Sequence, residues 1–145
     1  MLATMNEHTQ TLTDPKIEVI RSMYEAFGRG DMDAVLVDVA DEVEWISVTE
    51  TPNPTVPWYG SYRGKGDVPR FFKEIGSNVE VTEFAPLSFT SNETDVMVAL
   101  RWAITVRATG KSASLHMLHW WRFAEGKVVF VRTAEDTEQT AAAFS

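Results

Sequence analysis

Apolar residues in the first part of the chain recur at helical spacing. The pair Asp14-Pro15 is typical of a helix start, with the aspartate as N-cap and the proline in the first turn. One apolar stripe follows, made of Ile17, Ile20, Met23, Tyr24 and Phe27. Gly28 and Gly30 are expected to end this helix, and Asp31 to cap a second, shorter one. Residues 1–13 have no periodicity, which predicts a flexible tail.

The next segment alternates and then becomes irregular. A strand is predicted over residues 43–48, where Val43, Trp45 and Ser47 share one face. Prolines and glycines between Thr49 and Gly64 predict a long irregular loop, and such loops often serve as lids or binding loops. A third helix is expected to begin at residues 66–69, a Gly-Asp-Val-Pro sequence.

The second half of the chain changes character and predicts four strands, at residues 79–89, 95–109, 112–123 and 127–134. Helices first and antiparallel strands afterwards are typical of an α+β domain, with the helices packed on one face of a curved sheet. No repeat or linker divides the sequence, so residues 14–145 are expected to form a single domain.

Two of these strands differ in how many faces are apolar. Residues 96–106 alternate cleanly, which predicts one dry face. Residues 115–123 are largely apolar on both faces, so both should be covered. Because the helices can cover only one face, we expect a homodimer through the outer sheet face, where Val128 and Phe130 would extend the apolar patch.

Composition narrows the class of partner and the compartment. The chain has 145 residues and a net charge of −8, which disfavours nucleic acid and anionic membranes as partners. It has no cysteine, which excludes disulfides and thiolate chemistry, and with three histidines a metal site is not expected. No apolar run approaches the roughly 20 residues of a membrane span, and the polar start lacks a signal pattern, so a cytoplasmic protein is expected.

The order of elements, with the residues at their junctions, resembles the nuclear transport factor 2-like superfamily, and within it the SnoaL-like polyketide cyclases. The matching stretches are residues 24–27 with 30–31, residues 40–45, residues 62–64 with 71–72, residues 119–128 and residues 132–137. The resemblance implies a cone-shaped roll: three N-terminal helices pack on a strongly curved, mostly antiparallel sheet that encloses an apolar pocket. It also implies a homodimer. It is specific for fold rather than for chemistry, because this superfamily hosts many activities.

At the positions of the catalytic residues of related enzymes, this chain has different residues. The carboxylate base of ketosteroid isomerases falls on Ser47, their oxyanion-hole tyrosine on Met23 and their protonated aspartate on His119, while a supporting tyrosine falls on Phe72. Isomerisation by that mechanism is therefore not expected. The acid/base aspartate of SnoaL-like cyclases also falls on His119, where an imidazole could still move protons near neutral pH.

Two titratable residues are candidates for catalysis. His119 shares a strand face with Trp121, so aromatic surroundings should lower its pKa and suit it to a general base; a buried, hydrogen-bonded structural histidine explains it equally well. Glu135 falls on the inner face of the last strand and could orient His119 or act as an acid. Its place in an acidic stretch with Asp136 favours a solvated residue.

Aromatic residues are expected to line the pocket and bind substrate, because a buried indole N–H needs a partner. For several of them, core packing is an alternative role, and the loop aromatics could form a lid or a dimer edge. The predicted binding set is Tyr24, Trp45, Ser47, Trp58, Phe72, Trp102 and Trp121.

The sequence leaves two alternative functions for this protein. The first is a cofactor-independent enzyme that uses general acid/base catalysis on a small hydrophobic carbonyl compound of polyketide, terpenoid or steroid type, as a cyclase or isomerase does. The second is a protein of the same fold that binds a small hydrophobic ligand without chemistry.

Overall fold

The computed structural model describes residues 14–145, so the predicted tail, residues 1–13, lies outside the described residues. Helix α1 (Pro15–Arg29) begins as predicted, because the Asp14 carboxylate accepts a hydrogen bond from the Lys16 amide. It ends at Gly30, whose φ of 70° is left-handed and costs a glycine little. Helix α2 (Met32–Leu36) is capped by Asp31, and helix α3 (Val68–Asn78) follows a short 3₁₀ turn, Lys65–Asp67.

Six strands form one curled sheet, with the order β2-β1-β6-β5-β4-β3. All neighbours are antiparallel except β1 and β6, which are parallel. The fold is therefore α+β with a mostly antiparallel sheet, as predicted. The strands are β1 (Val39–Ser47), β2 (Gly60–Arg63), β3 (Val79–Ser91), β4 (Asp95–Val106), β5 (Ser112–Ala124) and β6 (Lys127–Glu135).

Irregular pairing accompanies the curvature of the sheet. The register between β3 and β4 shifts twice, near Glu83 and near Leu87, and the register between β1 and β6 shifts once. Such bulges add a residue to one strand and bend it. Helices α1 and α3 lie on the concave side and contact β3, so the core fills the space between the helices and the sheet.

Alternation along the central strands matches the prediction on the inner face. Every second residue of β4 from Val96 to Val106 is buried, and β5 shows the same pattern from Ala113 to Phe123. The outer face carries exposed apolar side chains, with 43% of Met97 and 50% of Leu118 accessible.

One residue of the expected outer patch lies elsewhere. Val128 is buried in the core, because the register between β5 and β6 shifts beside Phe123 and turns Val128 inward. Phe130 does lie on the outer side, where its ring packs edge-on against Trp120, with 4.9 Å between ring centroids. Pairing of two chains through this face stays a prediction.

Two elements differ from the sequence expectation. The loop predicted over residues 49–64 contains the short strand β2, which pairs with β1. A fourth helix, α4 (Thr137–Ala142), follows β6 without having been predicted; Asp136 caps it by accepting from the Gln139 amide. Among the described residues, no helix is long and apolar enough to cross a bilayer.

Candidate functional site

A cavity lies between the concave face of the sheet and helices α1 and α3. The cavity volume is about 60 Å³, within about 620 Å³ of space between atoms that includes open solvent. All nine residues predicted for the site lie around this single cavity: His119, Glu135, Tyr24, Trp45, Ser47, Trp58, Phe72, Trp102 and Trp121. The structure therefore brings together side chains from α1, α3, four strands and the loop before β2.

Strand register explains how residues far apart in sequence meet here. On β5, inward side chains stand at Met117, His119 and Trp121, directly opposite Glu135, Thr133 and Val131 of β6. Thr133 is in turn beside Ser47 of β1. His119 and Glu135 are therefore diagonal neighbours on one face, and no hydrogen bond joins them.

His119 is held by a chain of hydrogen bonds. The Trp121 indole N–H donates to the Tyr24 hydroxyl oxygen at 3.1 Å, and this hydroxyl lies 2.7 Å from His119 Nδ1. The other ring nitrogen, Nε2, lies 3.1 Å from the Met117 sulfur. Only a proton on Nε2 satisfies all these groups, because Tyr24 then donates to Nδ1 and Nε2–H points at a weak acceptor.

Burial keeps this imidazole neutral. It lowers the pKa of His119 to about 3, since no carboxylate is close enough to offset the loss of hydration. Burial also raises the pKa of Tyr24, so its hydroxyl keeps its proton. The expected lowering of the His119 pKa is thus found.

The geometry changes the role open to His119. A general base would use the lone pair on Nδ1. This lone pair already accepts a hydrogen bond from the Tyr24 hydroxyl. The ring instead presents an N–H whose only partner within residues 14–145 is a thioether sulfur. His119 is therefore arranged as a hydrogen-bond donor toward the cavity rather than as a free base.

Glu135 is not the solvated residue that its acidic neighbourhood favoured. Its Oε2 accepts hydrogen bonds from the Tyr59 hydroxyl at 2.6 Å and from the Thr140 hydroxyl at 2.5 Å. Its Oε1 is buried and has no hydrogen-bond partner among residues 14–145. Burial raises the pKa of Glu135, and the two hydroxyl donors oppose that rise. The expectation failed because strand alternation and α4 turn this side chain inward.

Two tryptophans of the predicted set also hold unsatisfied polar atoms. The indole nitrogens of Trp45 and Trp102 are buried and have no partner in the described part of the chain. Trp45 is surrounded by the rings of Phe71, Phe72 and Trp121, with centroids 5.6–5.9 Å away. Leaving a buried donor unpaired costs about 1–3 kcal/mol, so such atoms need a reason.

Of the aromatic residues in the 49–64 segment, Trp58 lines the cavity, whereas Tyr59 and Tyr62 are not part of its lining. Trp58, Tyr59 and Tyr62 are all buried. Trp58 packs against Trp102 at 6.3 Å and against Phe144 at 5.8 Å between ring centroids. Trp58 is thus part of the cavity wall, and Phe144 packs against it.

Sequence reasoning missed the partners that position the two titratable groups. Thr140 lies on helix α4, which was not predicted. Tyr59, whose hydroxyl donates to Glu135, is 76 residues away from it in the sequence. Met117, predicted on the face of His119, was not singled out as its contact. Within residues 14–145, no group of three histidine or acidic side chains is placed to bind a metal ion.

A family model, described as the SnoaL-like domain, matches residues 20–131. This chain belongs to the SnoaL-like domain family. The match runs from within α1 to within β6, so it includes His119 but ends before Glu135. The resemblance stated from the sequence is therefore confirmed.

Solved structures share this SnoaL-like fold. An NTF2-like protein of unknown function from Burkholderia pseudomallei is 26% identical, with a TM-score of 0.83, covering 92% of this chain and 99% of that one. An NTF2-like protein from Burkholderia thailandensis is 28% identical, with a TM-score of 0.78, over 88% and 95% of the two chains. A candidate polyketide cyclase from Xanthomonas campestris is 18% identical, with a TM-score of 0.73, over 90% and 97%.

No functionally curated protein matches the sequence. The SnoaL-like relationship thus establishes the fold, and the chemistry has to be argued from the side chains around the cavity.

Proposed function

We propose that this protein is a cofactor-independent enzyme that acts by acid/base catalysis on a small hydrophobic carbonyl compound, as a cyclase or isomerase of polyketide, terpenoid or steroid-like substrates does. One observation carries the proposal. Glu135 is a carboxylate in a mostly apolar and aromatic cavity, with one oxygen bonded by two hydroxyls and the other buried without a partner in residues 14–145. A proton-transfer group has this arrangement when its reacting atom is reserved for substrate.

The two titratable residues have complementary roles in this proposal. Glu135 Oε1 removes a proton from the carbon next to the substrate carbonyl, and the electron pair of that C–H bond moves into an enolate. His119 donates Nε2–H to the developing enolate oxygen, for which the Met117 sulfur is a weak competitor. The enolate then either takes the proton back from Glu135 at another position, which isomerises the substrate, or attacks a second carbonyl carbon. In the second case a ring closes, and the carbonyl oxygen, now an alkoxide, takes the proton from Glu135.

A neutral imidazole suits the donor role. With a pKa of about 3, His119 is a neutral imidazole near neutral pH, and its N–H is too weak an acid to be transferred to the enolate, so it acts only as a hydrogen-bond donor. Positioned acid/base groups supply roughly 100- to 10,000-fold in rate, which is enough where the carbon acid is already activated by a carbonyl. No cofactor is needed for such a step.

A second candidate, a carrier of small hydrophobic ligands, is favoured by a different observation. Both ring nitrogens of His119 have partners, which also describes a structural histidine. In a carrier, Glu135 would bind a ligand hydroxyl and no proton would leave carbon.

Proton exchange at carbon separates the enzyme from the carrier. The probe is indan-1-one, a compact aromatic ketone, incubated with the protein in D₂O while NMR follows loss of the signal of the protons next to its carbonyl. We expect the wild-type protein to accelerate exchange and Glu135→Gln to lose at least 100-fold of that acceleration. Glu138→Gln, an exposed position in the same acidic stretch, is the control and should retain it.

The outcomes decide between the two candidates. Equal exchange rates with wild type and Glu135→Gln would reject Glu135 as the base. Binding of indan-1-one, seen as a rise in melting temperature, without any accelerated exchange would leave the carrier as the better function.

We also propose that the protein acts as a homodimer joined through the outer sheet face. Exposed Met97 and Leu118 lie on that face, beside the packed pair Trp120 and Phe130. An apolar patch of this kind is typical of a protein interface rather than of free surface.

A further inference from the structure

The enclosed cavity is too small for an organic ligand as it stands. Its volume of about 60 Å³ corresponds to only a few water molecules, each of which takes about 30 Å³ in the liquid. Sites for small molecules in proteins have volumes of roughly 300–1,000 Å³. A second pocket of about 260 Å³, open to solvent, lies beside the cavity between α1 and β3. The two together reach the size of a ligand site, and neither does alone.

Two side chains separate the cavity from this outer pocket. Tyr24 and Phe84 belong to the lining of both, and their rings meet edge to face with 5.1 Å between centroids. Both are half-buried, whereas most of the cavity lining is buried. Further out, the Arg21 guanidinium lies 4.2 Å above the ring of Phe89. The partition between the two pockets is therefore the pair of rings of Tyr24 and Phe84.

The two rings are held in different ways. The Tyr24 hydroxyl is fixed between the Trp121 indole N–H at 3.1 Å and His119 Nδ1 at 2.7 Å. Phe84 has no group that forms such bonds, and its aromatic neighbours are Tyr24, Phe27 and His119. Phe84 is thus the ring that can move while Tyr24 stays in place.

The backbone at Phe84 is also lightly held. Strand β3 lies at the edge of the sheet, so it is paired on one side only, with β4. Its register with β4 shifts between Val81 and Glu83 and again between Pro86 and Ser88, which leaves Phe84 in a short stretch between two bulges. Such a stretch can shift with less loss of hydrogen bonding than the continuous helix α1.

From these observations we infer that the cavity and the outer pocket are two halves of one binding site, and that Phe84 is the gate between them. When the Phe84 ring swings away from Tyr24, a ligand enters between α1 and β3 and occupies both halves. Arg21 and Glu25, which line the outer pocket, then face the end of the ligand near solvent. Such a gate serves an enzyme and a carrier alike, so it does not depend on the chemistry proposed above.

Labelling of a single cysteine measures the opening, because the chain has no cysteine of its own. Ser47→Cys places one thiol, with little change in size, at a buried position of the cavity wall on β1, far across the sheet from β3. The probe is methyl methanethiosulfonate. Its rate with the folded protein, divided by its rate with the same protein unfolded in urea, gives the fraction of time for which the cavity is open.

Two matched variants in the Ser47→Cys protein locate the gate. Phe84→Ala removes the ring contacts that close it and should raise the labelling ratio about tenfold. Phe144→Ala removes the same side chain where it packs on Trp58, another residue of the cavity wall, and should leave the ratio unchanged. If Phe84→Ala does not fold, Phe84→Leu takes its place, with an expected increase of about threefold.

A bulkier reagent separates the gate from unfolding of the whole chain. Unfolding exposes the thiol to any reagent, whereas an opened gate should favour methyl methanethiosulfonate over the aromatic disulfide dithiobis(nitrobenzoate). An unchanged ratio in a folded Phe84 variant, an equal increase in Phe144→Ala, or equal acceleration of both reagents would overturn the gate. Labelling requires no proton exchange, so failure of the gate and failure of the proposed chemistry are seen in separate experiments.

Discussion

The Tyr59 hydroxyl donates a 2.6 Å hydrogen bond to Oε2 of Glu135, which joins the loop before β2 to the last strand of the sheet. Thr140 of α4 donates to the same oxygen. The two hydroxyls together leave Oε1 as the free oxygen of the carboxylate and stabilise its charged form. The loop and the C-terminal helix therefore determine which oxygen of Glu135 is left without a partner in residues 14–145 and how readily the carboxyl group ionises.

Removing the Tyr59 hydroxyl should shift the pH dependence of catalysis. In Tyr59→Phe the charged form of Glu135 loses a donor, so its already raised pKa rises further. A base must be ionised to act, so the rising limb of the exchange rate against pH should move to higher pH by about one unit. The measurement is the rate of indan-1-one exchange in D₂O between pD 5 and 9.

Tyr62→Phe is the matched control for that experiment. Tyr62 is also buried, but its hydroxyl donates to the Trp58 carbonyl oxygen and not to Glu135. The control should leave the position of the limb unchanged. A profile of Tyr59→Phe that overlays the wild type would show that Tyr59 does not tune Glu135.

Burial of neutral His119 should make stability depend on pH. The pKa is about 3 in the folded protein and about 6.5 in the unfolded chain, so between these values the unfolded state binds the extra proton. The free energy of unfolding therefore falls as pH falls through 6.5. From pH 7 to pH 5 this histidine should account for a loss of about 2 kcal/mol.

His119→Gln isolates this contribution, because glutamine does not titrate and its carbonyl can accept from Tyr24. Urea unfolding of both proteins at pH 7 and pH 5 gives the measurement, and the wild type should lose about 2 kcal/mol more than the variant. Equal losses would mean that His119 is protonated in the folded state at pH 5, contrary to the tautomer deduced from its contacts.

The sequence predicted the direction of a side chain correctly where that direction depends on alternation within one strand. Period-two alternation predicted that His119 and Trp121 face inward, and the register of β5 with β6 places both side chains at the cavity. The hydrogen bond between Tyr24 and His119, however, spans 95 residues and depends on how α1 packs on the curved sheet. Alternation within a single strand carries no information on that packing.

Glu135 shows why local patterns fail at the end of the chain. Helix α4 has six residues and no apolar stripe, so periodicity does not reveal it. If the helix is not recognised, the sequence around Glu135 indicates an acidic, solvated stretch. In the structure, Thr140 of this helix donates a hydrogen bond to the carboxylate and keeps it at the cavity. The inward orientation of Glu135 thus depends on a tertiary contact, and so does the inward turn of Val128.

Disrupting the outer sheet face should convert a dimer into a monomer. Leu118, half exposed at 50% in the single chain, lies in the middle of β5 on that face. Leu118→Glu places a charge where two copies would meet, and a buried unpaired carboxylate is costly.

Light scattering after size exclusion should give the mass of two chains for the wild type and of one for this variant. Val37→Glu, at a 59% exposed position after α2, is the control and should remain dimeric. A wild-type mass of one chain, or a dimer that survives Leu118→Glu, would reject this interface.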